Sequence, residues 1–483
     1  MAYRNGNREQ MELFPQSIED YVGPDDPVRA YDAFVEALDF NELGITLDEK
    51  QVGNPEYYPK AMVKLLTFGY SYGIRSSRKL ERAVYHNIAF MWLMAGLKPD
   101  HKTIAEFRRK NKQALKNVLR QCAWLCIKLD LIAGNTLFTD GTKIRANASI
   151  KNTWTKEKCL EHLEYIDKHI EKILSECEAI DDKEDKEPSL IKMKQSLKEK
   201  QALRSEVQRI LNDLKEQDKK TINTIDPECN RINSLQGSHA GYNAQITVDE
   251  QHGLIVNTDV VSDNNDTNQF ANQINQANET LGKRCDTACA DSGYSDTEEL
   301  EKIYSQGIKV IVPSQRQASR KEPEPFDKER FQYDPEKDCY ICPKGHTLIY
   351  WYYCNKSKHR VYKIQDKSTC LKCQCLRKCT KSKQGRTIRR LLNEEIKLKI
   401  DALYKQDDSQ AIYSLRKQKV ELPFGHIKRN LKVDAFLLRG RDGVKVEMSL
   451  LASCFNMARM INILGVKGLI QELKGVIPLY LKN

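Results

Sequence analysis

The chain has 483 residues, enough for about three domains, of which 40% are apolar and 30% charged. This composition excludes a fibrous, collagen-like or wholly disordered protein. The net charge of +11 is concentrated in residues 376–440, which hold 17 Lys and Arg against 7 Asp and Glu. That stretch therefore predicts a polyanionic partner.

We expect neither a secretory signal nor a membrane-spanning segment. The first twenty residues contain no apolar core, and charged residues interrupt each apolar run of about 18 residues. We therefore predict a soluble, cytoplasmic protein with no membrane partner. Fifteen cysteines in a reducing compartment argue against disulfides, and seven of them fall between Cys339 and Cys379, where a metal site is the better hypothesis.

Residues 1–130 are predicted to form an all-α domain. Three segments have helical signals. Residues 59–72 carry an apolar stripe at helical spacing. The next helix has Ser76 or Ser77 as its N-cap, and the third begins with the capping-box spacing Thr103-x-x-Glu106. The third segment is basic and includes Arg108 and Arg109, which we take as candidate DNA-binding residues. A plain helical bundle with a solvated basic face is the alternative.

The next region predicts a mixed sheet with an inserted helical hairpin. Residues 137–144 look like a strand, residues 154–220 have helical spacing around a turn at DDKEDKEP, and the period then changes to two. Further strands and helices alternate up to residue 312, which implies parallel pairing of the later strands.

These patterns give a fold class and a domain plan. We predict an α/β protein with a mixed-sheet core carrying helical and Cys-rich insertions, preceded by an all-α domain. The plan is 1–130 helical, 131–312 the first part of the sheet domain with 154–220 inserted, 313–390 a Cys-rich insertion, and 391–483 a C-terminal helical part.

Two aspartates are the first candidates for chemistry. No GxGxxG, Walker A, HExxH or GxSxG pattern occurs, so nucleotide, zincin and hydrolase-elbow sites have no support. Asp140 lies in the first predicted strand and Asp291 ends a later one, so adjacent strands would bring the carboxylates together as a Mg²⁺ site. The alternative is turn chemistry, because both aspartates stand in Gly-containing turn sequences.

Several longer strings carry a family resemblance. They are LFTDGTKIRANAS, GYNAQITVD, ACADSGYSDTEEL, YSLRKQKVELPFGHIKRN and RGRDGVKVEMSLLASCFNMARM, preceded by the N-terminal stretch from DPVRAYDAF to PDHKTIAEFRRKN. Together they span roughly residues 10–465 and resemble a bacterial insertion-sequence transposase of the Asp-Asp-Glu superfamily. The resemblance implies a ribonuclease-H-like catalytic domain that follows a helical domain.

The resemblance also implies roles for particular residues. Asp140, Asp291 and Glu421 would be the three acidic metal ligands, and Glu447 is the alternative third acid because it opens a cleaner helix. The accompanying residues that would contact DNA are Tyr413, Arg416 and Lys428. Four residues instead of three separate Arg416 from Glu421, and helical spacing favours Lys417 as the basic residue.

The implied activity is transposition of an insertion sequence. Two Mg²⁺ (or Mn²⁺) ions would support cleavage at terminal inverted repeats and strand transfer into target DNA, by a homo-oligomer acting at the bacterial nucleoid. One alternative is a non-catalytic, sequence-specific DNA-binding protein with a zinc module. Another is a Mg²⁺-dependent nuclease of the same fold that cuts without joining.

The cysteines suggest a separate zinc site. Cys339-x2-Cys342 and Cys370-x2-Cys373 form two pairs separated by 27 residues, a spacing compatible with structural zinc. Reduced thiols in a small insertion are the alternative explanation.

Overall fold

The computed structural model describes residues 17–47, 56–181, 187–234, 237–319, 322–355 and 358–480. Most of the N-terminal stretch considered for a secretory signal lies outside these residues. So does the centre of the turn predicted at DDKEDKEP.

The N-terminal region consists of short helices: α1 (Pro27–Glu36), α2 (Phe40–Leu43), α3 (Pro59–Ser71), α4 (Ser77–His86), α5 (Ile88–Leu93), α6 (His101–Lys110) and α7 (Lys112–Lys128). Ser76 is the N-cap of α4. Asp100, not Thr103, caps α6, because its Oδ1 accepts a hydrogen bond from the Thr103 backbone at 2.6 Å. The second and third predicted helices are each divided at an asparagine, Asn87 or Asn111, whose side chain bonds the local backbone.

The strands of the next region are β1 (Thr136–Arg145), β2 (Thr153–Thr155), β3 (Thr221–Asn223), β4 (Asn230–Ser234), β5 (Gly237–Asp249), β6 (Ile255–Val261), β7 (Thr287–Cys289) and β8 (Lys309–Ile311). Strand β1 pairs antiparallel with β5 and parallel with β7, and β8 follows β7 in parallel. Strands β4 and β6 both pair with the far side of β5. The mixed sheet and the parallel pairing of its later strands confirm the predicted fold class.

Helices α8 (Lys156–Asp181) and α9 (Glu187–Glu216) form the inserted hairpin, and the β2–β3 pair closes its base. The hairpin has a small apolar core of its own. Helices α10 (Phe270–Leu281), α11 (Thr297–Tyr304) and the short α12 (Gln315–Ala318) follow in the sheet region.

The Cys-rich segment contains a sheet that the sequence analysis did not predict. Its strands are β9 (Gln332–Asp334), β10 (Cys339–Ile341), β11 (Thr347–Cys354), β12 (His359–Ile364) and β13 (Thr387–Leu391), all antiparallel in the order β13-β12-β11-β10-β9. Between β12 and β13 lie the short helices α13 (Lys367–Leu371) and α14 (Leu376–Cys379).

The chain then becomes helical, with α15 (Glu394–Tyr404), α16 (Asp407–Gly425) and α17 (Arg441–Tyr480), which is interrupted at Gly465. Helix α17 packs against α1, α3, α7 and β6, so it joins the N-terminal helices and the sheet in one core. Among the described residues, Arg441–Val476 of this helix is the one segment whose length and hydropathy would suit a membrane span. Of the apolar 18-residue window in it, 56% is buried inside the protein. Its burial is that of a core helix.

Candidate catalytic site

Asp140 and Asp291 occupy equivalent positions on neighbouring parallel strands. Strands β1 and β7 are in register at Phe138 and Cys289, and each aspartate follows two residues later. The parallel register therefore brings Asp140, which lies inside β1, beside Asp291, which lies just past the end of β7, so both carboxylates are located where β7 ends. The prediction that these two strands are neighbours is confirmed.

The environment of Asp140 disfavours its negative charge. Burial raises the pKa of Asp140 to about 6, and the nearby Asp291 and Asp266 carboxylates act in the same direction. The Arg416 guanidinium opposes this effect, because its Nη1 lies 3.5 Å from Asp140 Oδ2. The edge of the sheet is therefore a place where added positive charge is favourable.

Two glycines allow the close packing around the aspartates. A Cβ on Gly141 would lie 2.3 Å from Gln245 Nε2 and 2.5 Å from Asp266 Oδ1. Gly293 donates its backbone N–H to Asp291 Oδ1 at 2.8 Å, and a Cβ there would lie 2.9 Å from the same oxygen. The turn chemistry proposed as an alternative is thus real for Asp291, and it orients the carboxylate.

Helix α16 places Arg416, not Lys417, beside the acids. The Arg416 side chain is 14% exposed, and although burial opposes it, Asp140 and Asp291 raise its pKa. The ring of Tyr413, one turn earlier, lies 5.7 Å from the guanidinium carbon. Lys417 points to solvent with 77% of its side chain exposed. Lys417 does share a helical face with Glu421, as the spacing predicted, but the spacing did not show that the Arg416 face of α16 packs on the sheet.

Glu421 lies on α16 but is not in contact with the aspartates. Its side chain is 64% exposed, and its Oε1 is 3.8 Å from Lys417 Nζ, one turn earlier. Helix α16 continues through Pro423 to Gly425 and is followed by a π-helical turn over His426–Asn430.

Glu447, the alternative third acid, is fully buried and committed elsewhere. It forms an ion pair with Arg75 and accepts hydrogen bonds from the backbone N–H groups of Leu437 and Leu438 at 2.8–3.0 Å. Both carboxylate oxygens therefore hold the start of α17 to the preceding loop and to the N-terminal helices. This arrangement argues against Glu447 as a metal ligand.

Lys428 reaches the strand that carries Asp140. Its Nζ donates a hydrogen bond to Thr142 Oγ1 at 2.5 Å, and burial lowers its pKa. The structure therefore gathers Asp140, Asp291, Arg416 and Lys428 at one edge of the sheet.

Asp266, just before α10, is a site residue that the sequence analysis missed. Its Oδ1 accepts hydrogen bonds from Asn243 Nδ2 and Gln245 Nε2, each at 2.7 Å, and lies 3.6 Å from Lys143 Nζ. Asn243 and Gln245 are fully buried on β5. Two polar side chains at alternate positions of an otherwise apolar strand were the available signal.

Comparison with known families decides the identity. A family model described as a transposase DDE domain matches residues 341–461, and one described as a transposase domain (DUF772) matches residues 16–110. The chain is a DDE transposase. The DDE match contains Tyr413, Arg416, Glu421 and Lys428, whereas Asp140 and Asp291 lie before it. A search of curated proteins found no match.

DDE transposases cut DNA with the help of a divalent metal ion, and the oxygen-rich edge of this transposase fits such an ion. The carboxylate oxygens of Asp140 and Asp291 are of the hard type that Mg²⁺ prefers, at a place where positive charge is favourable. Across the described ranges, no three Asp, Glu, His or Cys side chains stand close enough together to hold a metal.

The predicted DNA-binding arginines of the transposase have different surroundings. Arg108 is 7% exposed and donates hydrogen bonds to Tyr70 Oη and the Arg75 carbonyl, so its assignment to a DNA surface was wrong. The hydrophobic stripe of α6 did not reveal that this charge is buried. Arg109 is 68% exposed and pairs with Glu106 on the same helix.

The predicted zinc ligands are not all together. Cys342, Cys370 and Cys373 line one small cavity, and Cys379 lines it as well. Cys339 is buried within β10, opposite Ile349 and Asp334. Pairing cysteines by their spacing therefore included one residue that does not line this cavity.

Proposed function

We propose that this protein is the transposase of a bacterial insertion sequence, which binds terminal inverted repeats, cleaves the DNA ends and joins them to target DNA. The observation that carries the proposal is the placement of Asp140, on β1, next to Asp291, just past the adjacent β7, with Arg416 close to both. A homo-oligomer that pairs two DNA ends is part of the proposal.

Asp140 and Asp291 would hold Mg²⁺ together with Glu421. Bound Mg²⁺ would lower the pKa of the attacking water or hydroxyl and would stabilise the negative charge that develops on the leaving oxygen. Glu421 is available to join the aspartates, because its exposed contact with Lys417 contributes at most about 1 kcal/mol. Asp266 restrains Gln245 and Asn243 beside Asp140 and is a supporting residue.

The cations of the site have a separate role in binding DNA. Arg416 offsets part of the negative charge of Asp140 and Asp291 and, with Lys428 and Tyr413, stands where a DNA phosphate would approach them. Arg109 belongs to a second, N-terminal DNA-contacting surface within residues 1–130. In this scheme residues 131–312 and 391–483 build the catalytic domain, and residues 313–390 are an insertion.

Cleavage and strand transfer on DNA that carries the ends flanking the gene test the proposal. We expect cut and joined products with Mg²⁺ from the wild type and neither product from Asp140→Asn, Asp291→Asn or Glu421→Gln. Glu472→Gln, at an exposed position of α17, is the matched control. Cutting without joining would identify a nuclease, and binding without either product would identify a DNA-binding protein.

A further inference from the structure

A cavity of about 30 Å³ in the Cys-rich segment is surrounded by sulfur. It lies between the β10–β11 turn and the α13–α14 segment, and its polar lining consists mainly of Cys342, His346, Cys370, Cys373, Cys375 and Cys379. The volume is that of a small ion or a single water molecule. None of these residues has a role in the proposed DNA chemistry.

The first turn presents Cys342 as a hydrogen-bond acceptor. The backbone N–H groups of Lys344 and His346 both donate to Cys342 Sγ at 3.4 Å, and Gly345 has a φ of 79° that allows the chain to fold back over the sulfur. Both N–H donors are thus directed at the sulfur atom that would bind a metal.

The α13–α14 segment presents four more sulfurs to the same cavity, those of Cys370, Cys373, Cys375 and Cys379. Cys370 and Cys373 are linked by a turn in which the Cys373 N–H donates to the Cys370 carbonyl at 3.1 Å, and Cys379 ends α14. Burial raises the pKa of Cys379, and Cys370, Cys342 and Cys373 are all near enough to raise it further. Gly385 packs tightly here, since a Cβ on it would lie 2.7 Å from Ile364 Cγ2 and 3.3 Å from Cys370 Cβ.

The two remaining cysteines of interest have other surroundings. Burial raises the pKa of Cys339, and the charged groups that also influence this pKa are Asp334, Lys337 and Asp338, not other thiols. Cys375 lines the cavity but is the N-cap residue of α14. The candidate set of four sulfurs is therefore Cys342 on one side of the cavity and Cys370, Cys373 and Cys379 on the other.

We propose that Cys342, Cys370, Cys373 and Cys379 bind one structural Zn²⁺ as a tetrahedral tetrathiolate site. The four thiols release their protons to solvent on binding, and the site then carries two negative charges. Arg386 lines the same cavity and offers partial compensation. Because no three ligand side chains of the described residues stand at metal-binding separation, the thiols must rotate inward about their side-chain bonds.

The physical need for such a site is clear from the size of the module. Six buried residues form its core, namely Phe331, Tyr340, Leu348, Tyr362, Ile364 and Ile388. A core this small commonly requires a metal or disulfide to hold a fold. Zinc would fasten the α13–α14 segment to the five-stranded sheet.

Zinc content of the full-length protein tests this assignment independently of transposition. After purification without a metal-affinity step, we expect elemental mass spectrometry to find one zinc ion per chain. Cys342→Ser and Cys379→Ser should lose it, whereas Cys339→Ser and Cys375→Ser should retain it. A wild type without zinc after growth in zinc-supplemented medium would overturn the proposal, as would zinc loss in Cys339→Ser but not in Cys379→Ser.

Cobalt substitution tests the site in the wild-type protein, so its result does not depend on whether the cysteine variants fold. Wild-type protein stripped of metal and given Co²⁺ alone should show the visible absorption of tetrahedral cobalt and sulfur-to-cobalt charge-transfer bands. An octahedral cobalt spectrum would contradict the tetrathiolate site.

Discussion

Replacing Asp140 by Asn is predicted to stabilise the metal-free transposase at neutral pH while abolishing DNA cleavage. The Asp140 side chain is 21% exposed, and burial raises its pKa from an ordinary value of 3.8 to about 6. Because one pKa unit corresponds to about 1.4 kcal/mol, the ionised carboxylate costs the folded state about 3 kcal/mol near pH 7. A neutral amide of the same shape avoids this cost, so we expect a gain of up to about 3 kcal/mol.

The gain should depend on pH in a defined direction. An acid with a higher pKa in the folded state binds its proton more tightly when folded, so wild-type stability falls as pH rises from 3.8 to about 6. Asp140→Asn lacks this titration. The difference between the two proteins should therefore be small below about pH 4 and complete above about pH 7.

Urea unfolding in the presence of EDTA, at several pH values between these limits, measures the effect. Asp434→Asn, at an exposed position, is the matched control and should change little. Added Mg²⁺ should stabilise the wild type but not Asp140→Asn, because binding to the folded state raises its stability. An Asp140→Asn protein that is less stable than the wild type at neutral pH would refute the reasoning.

Four further substitutions separate structure from function. Arg75→Ala should lower the free energy of unfolding by about 3–5 kcal/mol, because it leaves the buried Glu447 carboxylate without its charge partner; thermal unfolding measures this. Arg109→Ala should lower the slope of the salt dependence of DNA binding by about 1, the value for one lost phosphate contact, without loss of stability. Arg108→Ala should instead lower the free energy of unfolding, because Arg108 is buried. Gly141→Ala should reduce both stability and cleavage, since its Cβ would displace Gln245 or Asp266; unchanged cleavage would contradict the packing argument.

The parts of the site that were predictable from sequence depend on local strand patterns. The strand-like run LFTDGTKI identified β1, and the small-residue run TACADSGY identified the strand that ends before Asp291. Parallel pairing then follows from the intervening helices, so adjacency of the two aspartates could be inferred without knowledge of any side-chain contact.

The parts that were not predictable depend on contacts between distant segments. Helical spacing placed Lys417 and Glu421 on one face, but only packing against the sheet shows that Arg416 faces the acids. The burial of Glu447 requires Arg75, which is far away in sequence. The five-stranded sheet was missed because a bulge between Tyr350 and Tyr352 breaks the alternation of β11 and leaves adjacent aromatics exposed.

Joining of pre-cleaved DNA ends to target DNA by Asp291→Asn tests the central claim most directly, because it isolates the chemistry of the aspartate pair from end recognition and first-strand cleavage. With Mg²⁺, the account predicts that the wild type forms joined product, and that Asp291→Asn binds the same ends with unchanged affinity but joins at least about 100-fold more slowly. Joining by Asp291→Asn at the wild-type rate would contradict the assignment of the catalytic site.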